Sequence, residues 1–426
     1  MSPTFRALAH RNFRRYYAGG LVSNTGTWMQ RVAQDWLVLV LSDGSGVALG
    51  ITTGLQFLPA LLLSPWAGAV ADRFPKYRLL QLAQLLMAAP ALVLGLLAVT
   101  GVAEQWHVYA LALAFGIGTA FEAPVRQAFV SELVDPEDLP NAVGLNSASF
   151  NTGRIVGPAL AGLMIAAFGS GVQATGVVIL LNAVSYSAVL WALSGIGRSI
   201  TANRETVPRR PGMVLEGMRY LRTRPDLMLL LAVMFFVGTF GLNFQLTSAL
   251  MATEVYGKGA GEYGVLGSTM AIGSIVGALL AARRTHVRLR LVMGGALLFC
   301  VVEVVIGLMP TYATFVAVTP LIGLTSLTTI TSANTLMQLS VPAELRGRVM
   351  ALYLMVFMGG TPIGSPLIGW LGETFGARWS LVGGGLTAMA GTLVCLALFL
   401  RAEHRRKRAA ARPAAAVGTD QCPVPV

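Results

Sequence analysis

Gly68-Ala-Val-Ala-Asp72-Arg73-Phe-Pro75-Lys76-Tyr-Arg78 breaks two long apolar runs with one acid and three bases. A charged elbow flanked by hydrocarbon-length runs belongs at a membrane face, and the side on which it lies sets the direction of every other crossing. The chain around it has 426 residues, 55% of them hydrophobic and only 12% charged, with a mean hydropathy of +0.67. That composition excludes an ordinary soluble domain. A hydrocarbon core of roughly 30 Å takes about 20 helical residues, which leaves room for about twelve crossings with short connections.

Apolar runs predict spans at residues 16–41, 47–71, 79–102, 107–130, 142–168 and 172–193, then 227–252, 263–282, 291–309, 312–336, 346–371 and 378–400. Arg6, Arg11, Arg14 and Arg15 precede the first span without an acid. That arrangement predicts an uncleaved first crossing with a cytoplasmic amino terminus, since a signal peptide would need a shorter apolar core and a small-residue cleavage site. Arginines recur at 195–226, 283–290 and 401–412, always on the elbow's side. The net charge of +12 therefore reads as positive-inside anchoring rather than a nucleic-acid surface. Glu132, Asp135, Glu137 and Asp138 make one such connection acidic, but acids weigh little in that rule.

The expected fold class is all-α and polytopic, with twelve transmembrane helices in two pseudo-symmetric six-helix bundles. Residues 1–195 form the first bundle, 196–226 a cytoplasmic linker, 227–400 the second bundle and 401–426 a basic, disordered cytoplasmic tail. Within the linker, Met213, Leu215, Met218 and Leu221 share one side; the stripe suits either a helix on the inner leaflet or a lead-in to the seventh span. A weak repeat supports the halving: Gly157-Pro-Ala-Leu-Ala-Gly162 recurs as Gly364-Ser-Pro-Leu-Ile-Gly369. Paired homologous bundles are the sequence signature of an alternating-access carrier. An excess of arginine over lysine points to a bacterial source and hence to the plasma membrane.

Ionisable residues inside a span cost roughly 2.5–3.5 kcal/mol each and mark functional positions. Asn24, Trp28, Arg31 and Asp35 recur at steps of three and four and share one face of the first span. They are the leading candidates for a cavity wall, with Asp35 placed to exchange a proton; a permanent Arg31–Asp35 ion pair is the alternative. Arg154 falls near the middle of the fifth span, available to an anionic group of substrate or to Glu122 or Asp35. Glu122 and Arg126, four apart on the fourth span, suit a structural ion pair near a gate. Asn243, Gln245, Asn334 and Gln338, with Thr328, Thr331 and Thr335, would supply amides and hydroxyls from the second half. Glu303 on the ninth span receives no role.

Several classes are excluded or left without support. Cys300, Cys395 and Cys422 form neither a disulfide framework nor a metal spacing. His10, His107, His286 and His404 lie at span edges or in tails, which gives no catalytic constellation, and no Gly-x4-Gly-Lys-Ser/Thr loop is present. No catalytic residue, metal or cofactor is expected, and the chain is not expected to be an enzyme.

The motifs carry a resemblance. Gly68-x3-Asp72-Arg73-x2-Lys76-x-Arg78 resembles the loop motif of the major facilitator superfamily, with Pro75 where the family usually has glycine. The second-half counterpart at Gly277 to Arg283 lacks the acid. Gly153-x3-Gly157-Pro158-x3-Gly162 is similar to the antiporter motif of drug-exporting members, with Ala161 at a position that is usually glycine. Thr27 to Gln30, Gln34 to Leu37 and the 133–162 stretch look like the secretion-effector branch that contains the enterobactin exporter.

The resemblance implies export of a small organic molecule, such as a drug-like compound, siderophore or secondary metabolite, by proton antiport with alternating access in a monomer embedded in a lipid bilayer. It also implies a latch in which Gly68 lets the second span pack on the eleventh and Asp72 faces the start of that span near Arg348. Arg73, Lys76 or Arg78 would reach Glu132. An importer or uniporter is the alternative within transport, and a membrane receptor or enzyme the alternative outside it. No nucleic-acid partner is expected.

Overall fold

The computed structural model describes residues 3–196, 213–282 and 287–410, and every regular element in them is helical. After a short 3-10 turn at Pro3–Ala9 come α1 (Arg11–Leu41), α2 (Gly46–Arg73), α3 (Lys76–Val99), α4 (Gln105–Val130), α5 (Leu139–Ala167) and α6 (Val172–Ile196). The later helices are α7 (Met213–Thr223), α8 (Pro225–Phe236), α9 (Phe244–Leu250), α10 (Ala260–Ala282), α11 (Leu289–Gly307), α12 (Tyr312–Leu339), α13 (Ala343–Gly359), α14 (Thr361–Phe375) and α15 (Arg378–Ala410).

Ten helical stretches among the described residues are long and apolar enough to cross a membrane. α1 and α5 are also long enough, at about 46 and 43 Å for 1.5 Å per residue, but too polar to join that set. α1 carries Arg31 and Asp35, and α5 carries Asn146, Asn151 and Arg154. Large apolar side chains such as Leu163, Val184, Trp191 and Leu279 stand exposed around the helices. A water-soluble protein would not leave so extensive an apolar surface bare, whereas lipid covers it. The protein is an all-α, multi-pass membrane protein.

The helices turn back on themselves for local reasons. α1 ends where Asp43 and Gly44 take positive φ (52° and 87°), the left-handed geometry that lets Gly44 N–H reach the Leu39 carbonyl at 2.8 Å. Ser45 then accepts the Ala48 N–H at 3.2 Å and starts α2. Successive reversals give two faces. One carries Arg6, Arg11, Arg14, Arg15, Lys76 and Arg224, and is called the basic face; the other carries Asp43, Glu104, Glu254, Glu262 and Glu373 against Lys258 and Arg378, and is called the acidic face.

Within the first half α1 packs on α5 and α6, α3 on α4 and α6, and α2 on α4; in the second, α10 packs on α12, and α11 on α12 and α15. Two seams join the halves, α2 on α14 and α5 on α10. Both copies of the glycine repeat lie on these seams. A Cβ at Gly162 would meet the Ala260 carbonyl at 2.5 Å, and one at Gly369 would collide with the Gly46 carbonyl.

Three elements depart from the sequence expectation. The 227–252 span is not one helix: α8 widens into a π-turn at Val237–Gly241, Leu242 and Asn243 leave helical geometry, α9 follows, and a second π-turn at Met251–Val255 ends it. The 346–371 span divides into α13 and α14 at Gly360, where Pro362 begins α14 without a backbone donor. α15 continues to Ala410, ten residues past the expected end, because the alanine- and arginine-rich 401–410 stretch favours helix. The rest of the expected tail, 411–426, and the linker stretch 197–212 lie outside the described residues. α7 is a separate helix ended at Thr223, since Arg224 precedes Pro225 in an extended conformation (φ −117°, ψ 87°).

Candidate functional site

α1 supplies the centre of the site. Its stripe faces α2 and α5, and two guanidiniums approach the Trp28 ring: Arg31 Cζ is 5.0 Å from the indole centroid and Arg154 Cζ is 5.8 Å from it. Phe57 of α2 covers Arg31 at 5.5 Å, and Phe150 of α5 meets Trp28 edge-on at 5.7 Å. Arg154 Nη2 donates to Ser274 Oγ of α10 at 3.3 Å. Neither guanidinium is ion-paired with an acid among the described residues. Each cation–π contact contributes roughly 0.5–2 kcal/mol, short of neutralising a desolvated charge. Two positive groups therefore stand over one aromatic platform with hydrogen-bonding capacity to spare.

Asp35 does not pair with Arg31, so the permanent ion pair weighed from the sequence is absent. Its Oδ2 accepts the Tyr263 hydroxyl at 2.8 Å instead, a bond from α10 to α1 that joins the two halves. The same hydroxyl lies 3.4 Å from the Gln245 carbonyl. Asn24 Nδ2 donates to Ser149 Oγ of α5 at 3.1 Å, and the close α1–α5 approach depends on Gly153 and Gly157, where a Cβ would meet the backbone at Asn24 and the Trp28 side chain. Pro158 and Gly162 continue that ridge against α10.

The remaining candidates scatter. Arg126 Nε and Glu122 Oε1 form an ion pair at 2.8 Å, with Arg126 also 5.7 Å from the Phe150 ring, beside the α1 stripe on its basic-face side. Asn243 is buried in the α8–α9 break, donating to the Thr239 carbonyl at 2.8 Å. Gln338 donates to Asn334 at 3.0 Å near the basic-face end of α12, away from the arginine pair in sequence depth along the span. In the elbow, Lys76 is ion-paired with Glu132, and Arg78 donates to the Tyr77 hydroxyl at 3.0 Å. The backbone at Gly68, Asp72 and Arg73 belongs to α2, but their side chains lie outside the described residues. Arg348 is ion-paired with Glu216 of α7.

Four contributors escaped sequence reading: Tyr263, Phe57, Ser274 and Glu373. Glu373 of α14 reaches across the α2–α14 seam, where its Oε2 accepts from Ser45 Oγ at 2.9 Å and from the Val47 N–H at 3.0 Å. An anion is favoured at this helix start because the first N–H groups lack helical partners. The contact borders an acidic-face cavity of about 650 Å³ lined by Asp43, Glu254 and Arg378 among others.

The family described as "Transmembrane secretion effector" matches residues 2–423. The chain belongs to this family of the major facilitator superfamily. Among curated relatives, the staphyloferrin A transporter of Staphylococcus aureus is 24% identical over 89% of this chain and 94% of its own length. The multidrug efflux pump Tap of Mycolicibacterium fortuitum is 27% identical over 84% and 88%. Among solved structures, an inward-facing bacterial homologue of the iron transporter ferroportin superposes with a TM-score of 0.67 at 16% identity, over 92% of this chain and 98% of that one. That likeness concerns the fold. The secretion-effector protein is a secondary transporter of a small organic molecule, not an enzyme, and a multi-pass protein of the bacterial plasma membrane.

Proposed function

We propose that the protein exports a small organic molecule bearing an anionic group, exchanging it for protons by alternating access of two six-helix halves, 1–195 and 227–400. The observation that carries this reading is the Arg31–Trp28–Arg154 cluster: two guanidiniums without a carboxylate partner, on an aromatic face, suit a planar or conjugated acid. Efflux in the names of relatives such as the Tap pump supports export. The twelve crossings comprise the ten apolar stretches with α1 and α5, whose polarity suits a cavity wall. By the excess of arginine, the basic face is cytoplasmic and holds both termini.

In this reading Asp35 carries the coupling proton. With the acidic face closed by Glu373 and by the two glycine seams, Asp35 is held by Tyr263. Separation of the halves breaks that bond and exposes the carboxyl to the outside, where it is protonated as cargo leaves. At the basic face the elbow motif around Asp72 serves as the latch, with Lys76 anchored to Glu132 within the first half, and the protein works as a monomer. An importer would share this geometry, and direction of flux separates the two. The test is to compare metabolites secreted by cells with and without the gene, then to follow the leading hit in everted vesicles. Equal secretion by both strains contradicts export.

A further inference from the structure

Glu303 has no part in the site above. It lies on α11 about 6 Å along the axis from the acidic-face end at Gly307, yet is only 2% exposed. Its Oε2 has no hydrogen-bond partner, and no cation pairs with it among the described residues. The carboxyl lies between two glycines of other elements. A Cβ at Gly241 would stand 2.9 Å from Oε2, and one at Gly384 of α15 would stand 3.7 Å from Oε1.

Gly241 closes the π-turn that, with Leu242 and Asn243, breaks the seventh crossing. The same break holds two more buried oxygens without a partner, Thr239 Oγ1 and Asn243 Oδ1. Irregular backbone at membrane depth is tolerated where protein or water supplies its missing partners. A carboxyl beside such a break, with no salt-bridge partner, therefore invites a reason other than packing.

A bare carboxylate with no cation and an unpartnered oxygen is too costly to bury; the neutral acid is the form this conformation accommodates. Among the described residues no cation is ion-paired with it; Arg378, at the acidic-face end of α11, donates to the Gly307 and Met309 carbonyls instead. α8 carries only Asp226 and α12 only Tyr312, each at a helix end; the π-turn carries no titratable group, and α15 between Arg378 and Arg401 carries only Cys395. Cys300 lies about one turn earlier on α11 and is buried.

We propose that Glu303 is a proton-binding site of the second half, loaded in this conformation and reached through the break between α8 and α9. Loading transfers one proton from hydronium to the carboxylate, breaking an O–H bond of the donor and forming one on the carboxyl; unloading is the reverse transfer to water, when the break rearranges and its backbone N–H groups turn toward the carboxylate. The site is separate from Asp35 and rests on no step of the cycle proposed above.

The test is infrared titration of the full chain in lipid vesicles from neutral to alkaline pH. Wild type minus Glu303→Gln is expected to show the carbonyl stretch of a protonated carboxylic acid at neutral pH. That difference band should vanish reversibly on alkalinisation while circular dichroism stays helical. Glu303→Asp, which keeps an acid, should retain the band at a shifted frequency and serves as the comparison if Glu303→Gln does not fold. A difference spectrum without the band at neutral pH overturns the proposal. So does a band that persists at every pH at which the protein stays folded, since that describes a permanently neutral core acid.

Discussion

At the scale of single residues, the account turns on charges that the protein leaves uncompensated. Arg31 and Arg154 share Trp28 and have no acid partner among the described residues, so removing either should weaken binding of an anionic cargo selectively. A hydrogen bond to a charged group is worth about 1.5–3 kcal/mol. Arg154→Ala is therefore expected to raise KM roughly ten- to hundredfold for the acid and to leave its neutral ester nearly unchanged, as measured by transport in vesicles; equal losses for both would indicate a packing role. Asp35→Asn keeps a partner for Tyr263 but cannot carry a proton. It should abolish proton-driven efflux with the protein still folded and still exchanging labelled for unlabelled cargo. The α1 stripe was legible in the sequence because steps of three and four place Asn24, Trp28, Arg31 and Asp35 on one face. Tyr263 was not, because it is 228 residues from Asp35 and helix rotation decides which partner an acid meets.

At the scale of elements, closure of the acidic face depends on Glu373 and on glycines that let α2 and α14 touch. A carboxylate at a helix start contributes about 0.3–1 kcal/mol, more where partly buried. Glu373→Gln should thus shift the balance toward opening by about 1 kcal/mol, or about fivefold. A buried reporter, Leu250→Cys in a background without native cysteines, should be labelled correspondingly faster by an impermeant thiol reagent. Gly369→Ala should have a larger effect, because its methyl would collide with the Gly46 carbonyl; labelling unchanged from the parent would show that the seam is not the gate. Helix existence was readable from apolar runs, and the Gly157–Gly162 and Gly364–Gly369 repeat indicated the two halves; that its Gly162 and Gly369 lie on the seams came from the structure. The breaks at Val237–Asn243 and Gly360 were not readable. Both lie in runs whose hydropathy continues across them: Pro362 removes a backbone donor near Gly360 without interrupting the apolar run, and the close approach of Gly364 to Thr239 comes from packing between helices.

At the scale of the whole molecule, the polarity of α1 and α5 is what separates a transporter from an inert bundle. These two helices carry the charged cluster and are too polar to join the ten apolar stretches; α1 packs on α5 and α6, and α5 on α1 and α10. Fold and family were legible because composition, elbow and glycine ridge agree; the cargo was not, because its site draws side chains from α1, α2, α5 and α10. The central claim is proton-coupled export of an anionic molecule through that cluster. Its most direct measurement is accumulation of the leading secreted metabolite in everted vesicles with an acidic lumen. Accumulation should collapse with an uncoupler and be lost in Arg31→Ala vesicles of equal protein content. Accumulation that survives the uncoupler and the substitution would contradict it.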